Sequence, residues 1–324
     1  MLAVLATTFP FFALILCGYL ATRRGMLPLA AIPGLNGFVL FFALPCMLYR
    51  FGARTPIHQL LDARVIGVYL ACALLMVGIT VLASRRSGTN WNDAAFGALV
   101  AAFPNTGFMG VPLLSALLGS AAAGPAIQTM AIDMVLTTSL CIALSRLDGA
   151  GAHGVAAAVR RALRGMLGNP MPWAIVLGVL ASAVGFVLPR PLDQTVGLLS
   201  DAASPVALFT IGAVLARSGM DRAEHAPWRS YVPLALAKLL LHPLLVLAAG
   251  AVARLLGAPL DPLALTALVL VAALPSASNV SMLAERFGAH NGRIARVILV
   301  STALAFLSFS AAVALFAASG IAPK

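Results

Sequence analysis

Two proline-centred clusters carry the polar atoms best suited to hold a small anion. One reads Phe103-Pro104-Asn105-Thr106-Gly107, the other Leu274-Pro275-Ser276-Ala277-Ser278-Asn279, and each interrupts an apolar run. Asn, Ser and Thr donate hydrogen bonds without carrying charge. Pro104 and Pro112 each remove a backbone donor from a helix, while Gly107 and Gly110 permit unwound backbone and close approach. A helix restarting at Asn105 or Thr106, residue types that cap N-termini, would aim free N–H groups and its positive dipole end at an anion. The expected substrate-binding residues are therefore Asn105, Thr106, Gly107, Ser276, Ser278 and Asn279. A single kink of this kind would be read as structural, its Ser and Asn bonding neighbouring carbonyls. Two matched kinks, each followed by Asn, favour a site.

Ionisable residues inside apolar runs form a second set: Asp133, Asp201, Lys238 and His242. In a membrane such groups are expensive and mark function by default. A carboxylate there could bind Na⁺ or take a proton, and a lysine could neutralise an anion or the emptied carboxylate. Lys238 with Asp133 or Asp201 is the expected coupling pair, a structural ion pair being the plainer alternative. His242 follows Lys238 by four residues, hence on the same helix face, where a hydrogen-bonding histidine is commoner than a proton relay.

These residues need a membrane scaffold. The chain has 324 residues, 61% hydrophobic and 10% charged, with mean hydropathy +1.00, against about 25% charged in soluble proteins. Its long apolar runs indicate helices and exclude a β-barrel's alternation. The net charge of +11 would suit nucleic acid, but the basic residues lie in short connections, which topology explains. Cys17, Cys46, Cys72 and Cys141 fall within spans and form no CxxC or Cys/His cluster, so neither a metal nor a cofactor is expected. The apolar start reads as a first span, not a removable signal.

Ten spans are predicted: 2–21, 33–51, 64–83, 94–118, 124–145, 171–189, 195–216, 230–254, 262–284 and 294–318. The connections after the odd-numbered spans hold fourteen of the 21 Lys and Arg residues, among them Arg85, Arg86, Arg160, Arg217 and Arg293. The positive-inside rule puts those connections in the cytoplasm and both termini outside. Arg50 and Arg54 then end the second span at the outer face, as headgroup anchors or an attraction for anions.

The halves repeat. Leu99-Val100-Ala101-Ala102-Phe103-Pro104 recurs as Leu270-Val271-Ala272-Ala273-Leu274-Pro275, 171 residues later. At an offset of 160, Gly18 matches Gly178, Pro45 matches Pro205 and Gly52 matches Gly212. Five spans per half means opposite topologies, an inverted repeat with a substrate site where the broken helices meet. The expected organisation is 1–145, a cytoplasmic connection 146–170, and 171–324.

The run Pro104-Asn105-Thr106-Gly107-Phe108-Met109-Gly110-Val111-Pro112-Leu113 resembles the fourth-helix signature of the auxin efflux carrier family. Asn169-Pro170, Lys238-Leu239-Leu240-Leu241-His242-Pro243 and Leu274-Pro275-Ser276 agree with it, so the likeness spans nearly the whole chain. It implies ten helices as a 5+5 inverted repeat, with broken helices 4 and 9 crossing, related to bile-acid-symporter and sodium/proton-antiporter folds. It also implies that Asn105 helps hold a substrate carboxylate. The short central connection looks bacterial and makes auxin an unexpected substrate. The expected function is secondary transport of a small carboxylate, malonate- or malate-like, coupled to H⁺ or Na⁺, in a bacterial inner membrane. A homodimer is compatible with this and nucleic acid is not a partner. An uncoupled anion channel or facilitator is the alternative, ahead of a membrane enzyme.

Overall fold

The computed structural model describes residues 2–54, 62–147, 170–220 and 226–318. Most of the predicted central connection, with Arg160, Arg161 and Arg164, lies outside the described residues. The described chain is helical and contains no strand. Its elements are α1 (Leu2–Arg23), α2 (Leu29–Arg54), α3 (Ala63–Arg86), α4 (Trp91–Ala102), α5 (Thr106–Leu118) and α6 (Ser120–Leu144). They continue as α7 (Pro170–Val184), α8 (Arg190–Met220), α9 (Trp228–Leu255), α10 (Pro262–Ala273), α11 (Asn279–Phe287) and α12 (Asn291–Ala318).

Among the described residues six helices, α2, α3, α6, α8, α9 and α12, are long and apolar enough to cross a membrane. Further apolar stretches of 10–17 residues lie at Phe9–Arg23, Thr106–Leu118, Trp173–Val184 and Pro262–Ala273. The expected spans 94–118 and 262–284 are thus each divided into two shorter helices. Polar caps start three of the elements. Asp62 accepts from Arg64 N, Asn90 from Asp93 N, and Asp261 from the amides of Leu263 and Ala264. Gly119, at φ 87°, turns the chain from α5 into α6, a conformation that residues with a Cβ avoid.

Burial sorts the helices into an inner and an outer set. Every residue of α4 from Ala94 to Ala102 is buried, as is α10 from Thr266 to Ala273. Helices apolar all round belong in a core. By contrast α3 exposes Leu74, Leu75, Ile79 and Leu82, and α9 exposes Leu240, Leu244 and Leu247. Apolar side chains on an outer surface suit lipid, where facing water would cost about 25 cal/mol per Å².

Glycine sets two close helix crossings. A Cβ on Gly18 of α1 would lie 1.9 Å from Phe209 O of α8, and one on Gly212 of α8 would lie 1.9 Å from Ile15 O of α1. Likewise a Cβ on Gly178 of α7 would lie 2.5 Å from Tyr49 O of α2, and one on Gly52 would lie 3.2 Å from Gly178 Cα. Small residues at such contacts let backbones approach and gain dispersion, which lipid cannot supply selectively. The crossing pairs are Gly18 with Gly212, and Gly178 with Gly52. An offset of 160 carries Gly18 to Gly178 and Gly52 to Gly212, so it maps one crossing onto the other with the halves exchanged.

Candidate functional site

The two proline breaks lie against each other. After α4, Phe103 is extended (φ −93°, ψ 104°), and after α10 Leu274 is extended too (φ −62°, ψ 156°). Between them Pro104 and Ser276 form an isolated antiparallel bridge. Asn105 N donates to Pro275 O at 2.8 Å, and Ala277 N donates to Phe103 O at 2.9 Å. Ser276 N donates to Ser301 Oγ of α12 at 3.2 Å. Each break therefore satisfies backbone groups of the other, as unwound chain at membrane depth must.

The pairing corrects the register of the repeat. The helix ends Ala102 and Ala273 obey the 171-residue offset, but the exchanged hydrogen bonds equate Phe103 with Pro275, Pro104 with Ser276 and Asn105 with Ala277. That offset is one residue longer, because one residue precedes the bridge in the first break and two precede it in the second. The counterpart of Asn105 is accordingly an alanine, and Asn279 falls opposite Gly107. Asn105 occupies the N-cap position of α5 (φ −77°, ψ 55°), yet its side chain makes no capping bond. Helix α5 instead begins with a wide π-turn, Thr106–Gly110, whose last two amides, Met109 N and Gly110 N, both bond Asn105 O. Such turns recur at functional sites.

Two small cavities flank the crossing. One, of about 20 Å³, is lined by Phe103, Asn105, Gly107, Phe108, Ala277 and Asn279, among others. The second, also about 20 Å³, is lined by Asn36, Phe108, Arg217, Ser278, Asn279 and Ser281. Asn279 and Phe108 belong to both, so the cavities adjoin through them. Each has room for one water and not for a carboxylate substrate. Oγ1 of Thr106, Oγ of Ser276 and Oδ1 of Asn279 are buried without a hydrogen-bond partner among the described residues. Of the three, only Asn279 lines the cavities, and an unmet polar atom there is one that a ligand or water would satisfy. All six residues expected at the site thus lie at the crossing, with Ser278 on the side of Arg217.

Arg217, placed in a connection by the sequence, is instead a half-buried residue of α8 beside this crossing. Its signal was obscured because positive residues near span ends read as topology markers. Arg293, at the start of α12, donates from Nε to Ser230 O at 2.9 Å, tying α12 to α9.

The charged residues divide. Asp133 is fully buried, accepting from Tyr69 Oη at 2.6 Å and from Thr137 Oγ1 at 3.0 Å. It starts a π-turn, Asp133–Thr137, and Lys238 lies in another, Ala237–Leu241. Lys238, equally buried, donates to Ala272 O and lies 3.3 Å from His242 Nδ1. Ala272 would bond the amide of Ser276 in an unbroken helix, but that amide is taken by Ser301. The ammonium fills the vacancy at the carbonyl end of α10, where a cation is also favoured by the dipole. Asp133 and Lys238 interact electrostatically without an ion pair between them among the described residues. Tyr69, which the sequence did not single out, also packs its ring 6.0 Å from His242.

Asp201 does not join this cluster, contrary to expectation. It is exposed and pairs with Arg50 NH1 at 3.2 Å, because α8 meets α2 there rather than α9. The same pair gives Arg50 a partner across helices instead of a headgroup.

The chain matches the model of the membrane transport protein family over residues 3–313. A Rhizobium meliloti protein named "Putative malonate transporter" is 30% identical over 299 residues, 91% of this chain and 90% of that one. The "Uncharacterized transporter YfdV" of Escherichia coli is 26% identical over 306 residues, 93% of this chain and 92% of its own. "Auxin efflux carrier component 8" of Arabidopsis thaliana is 20% identical over 265 residues, 66% of this chain and 72% of its own. With six membrane-length apolar helices among its described residues, the chain is a multi-pass membrane protein belonging to the membrane transport protein family, that of the auxin efflux carriers, and is a transporter and not an enzyme.

Proposed function

We propose that this protein is a secondary carrier of a small organic anion, a malonate- or malate-like carboxylate, that works by alternating access. The observation that carries the reading is the antiparallel contact of the two proline breaks, where the Thr106 and Ser276 hydroxyls and Asn279 Oδ1 are buried without partners among the described residues and Asn279 lines both cavities. A ten-span 5+5 inverted repeat is supported by the two exchanges of partners, glycine crossings at one offset and break hydrogen bonds at another. In that arrangement both termini lie outside a bacterial inner membrane. Asn105 donates to the carboxylate, and the start of α5 faces it with its amides and dipole. Asp133, Lys238 and His242 supply the charge change that couples transport to H⁺ or Na⁺. A cavity of about 640 Å³ between the ends of α3, α9 and α12, lined by Asp93, Arg229, Ser230 and Arg293, is the vestibule on the cytoplasmic side. Its arginines favour an anion's approach. The malonate named for the Rhizobium meliloti relative makes malonate the first substrate to try.

The test is uptake of radiolabelled malonate, malate and acetate into proteoliposomes under imposed pH or Na⁺ gradients. Saturable uptake driven by one gradient is expected. Uptake of none of these carboxylates removes the reading, and linear uptake indifferent to both gradients replaces it with an uncoupled pathway.

A further inference from the structure

We propose that Arg217 holds the second carboxylate of a dicarboxylate whose first carboxylate lies at Asn105, so that the two adjoining cavities, each too small for a carboxylate in this structure, mark the two ends of one site that widens to take the substrate. This rests on the carrier reading above and names the substrate class. The first cavity presents Asn105 and Gly107, an uncharged donor set. The second presents Arg217 with Asn36, Ser278 and Ser281, a cation among hydroxyl and amide groups. A guanidinium offers a planar fork of donors that matches a carboxylate bidentately, so it recognises the group by geometry as well as charge. Among the described residues no ion pair or hydrogen bond engages Arg217, and Asp201, on the same helix, is turned to Arg50.

Asn279 and Phe108 stand where the cavities meet. Asn279 Oδ1 is buried and unbonded; as an acceptor it suits water or another donor, and the N–H of the same amide is the group able to bond a carboxylate there. The Phe108 ring supplies an apolar wall for the short methylene link between two carboxylates. A monocarboxylate would fill the Asn105 end and leave the guanidinium with water, losing the charge-assisted bonds.

Binding by the purified full-length protein tests this without transport. Malonate, monomethyl malonate and acetate are titrated calorimetrically against wild type, Arg217→Gln, Arg217→Lys and Asn105→Ala. Wild type is expected to bind malonate at least tenfold more tightly than its monoester or acetate. Arg217→Gln should weaken malonate at least tenfold and acetate less than about twofold, with Arg217→Lys between, because lysine keeps charge and loses the fork. Asn105→Ala should weaken all three. Equal malonate affinity in wild type and Arg217→Gln overturns the assignment. So does wild-type indifference between malonate and its monoester, which decides the matter even where a variant does not fold. Failure of wild type to bind any carboxylate instead removes the carboxylate-carrier reading on which this stands.

Discussion

Replacing Asn105 with alanine separates the fold from the function of the crossing. The backbone of Asn105 joins the two breaks through its N–H to Pro275 O, and that bond does not involve the side chain. The side chain neither caps α5 nor carries its π-turn, which hangs on the carbonyl oxygen of the residue. Asn105 is 3% exposed and lines the first cavity, and in the proposed site its amide donates to the bound carboxylate. A hydrogen bond to a charged group contributes about 1.5–3 kcal/mol, which converts to roughly 10- to 150-fold in affinity. Losing the amide should therefore raise the KM or Kd for malonate by that factor. The variant should unfold within about 1 kcal/mol of wild type, a few degrees in midpoint for a chain of moderate size. Uptake kinetics in proteoliposomes, paired with a thermal melt of the purified protein, read both quantities. Wild-type KM with an unchanged melt would refute the site. A melt lowered by many degrees with proportionate loss of uptake would make Asn105 structural.

Asp133→Asn keeps shape and the Tyr69 contact but removes the carboxylate; uptake should lose its dependence on the driving pH or Na⁺ gradient with little change in expression, and retained gradient dependence would take Asp133 out of the coupling role. Asp201→Asn breaks an exposed pair of the kind contributing about 0–1 kcal/mol, so uptake and melt should stay within about twofold and a few degrees, a result that coupling through Asp201 would contradict. Gly212→Ala puts a Cβ 1.9 Å from Ile15 O, forcing apart two backbones, and should destabilise by the 1–3 kcal/mol or more of an overpacked contact. Gly67→Ala, with open space around it, should be neutral or stabilising by up to about 1 kcal/mol; equal melts for the two would refute the close crossing.

Much of the scaffold could be read from residue types. Pro104 and Pro275 marked helix ends because a missing donor has no substitute in lipid, and the glycines matched as a repeat proved to hold two close crossings that the matching alone did not locate. What escaped depended on the far side of a contact. The partner of Lys238 is the main-chain oxygen of Ala272, which no reading of side-chain types reveals. Asp201 and Lys238 looked alike as charges within apolar runs, but their helices turn them to different neighbours. Arg217 was hidden by its likeness to the arginines that set topology. The one-residue slip was hidden because proline matched proline in the alignment, whereas backbone pairing matched Pro104 to Ser276.

That slip separates the symmetry of the frame from the chemistry it carries. Helix crossings and break hydrogen bonds exchange partners between halves, so the frame treats the two breaks alike. Their side chains do not. Asn105 has Ala277 as its counterpart, and at the offset of 160 Arg217 falls opposite Ile57, which lies outside the described residues. An amide therefore lines the cavity at one end of the crossing and a guanidinium the cavity at the other. A symmetric frame allows the two breaks to trade exposure between the faces of the membrane. An asymmetric lining lets a substrate with two unlike or separately held ends bind in one orientation throughout. On the proposed carrier reading, the choice of anion depends on residues off the repeat, and substitutions that restore the repeat chemically, rather than those that disturb its glycines and prolines, are the ones that should change which carboxylate is accepted.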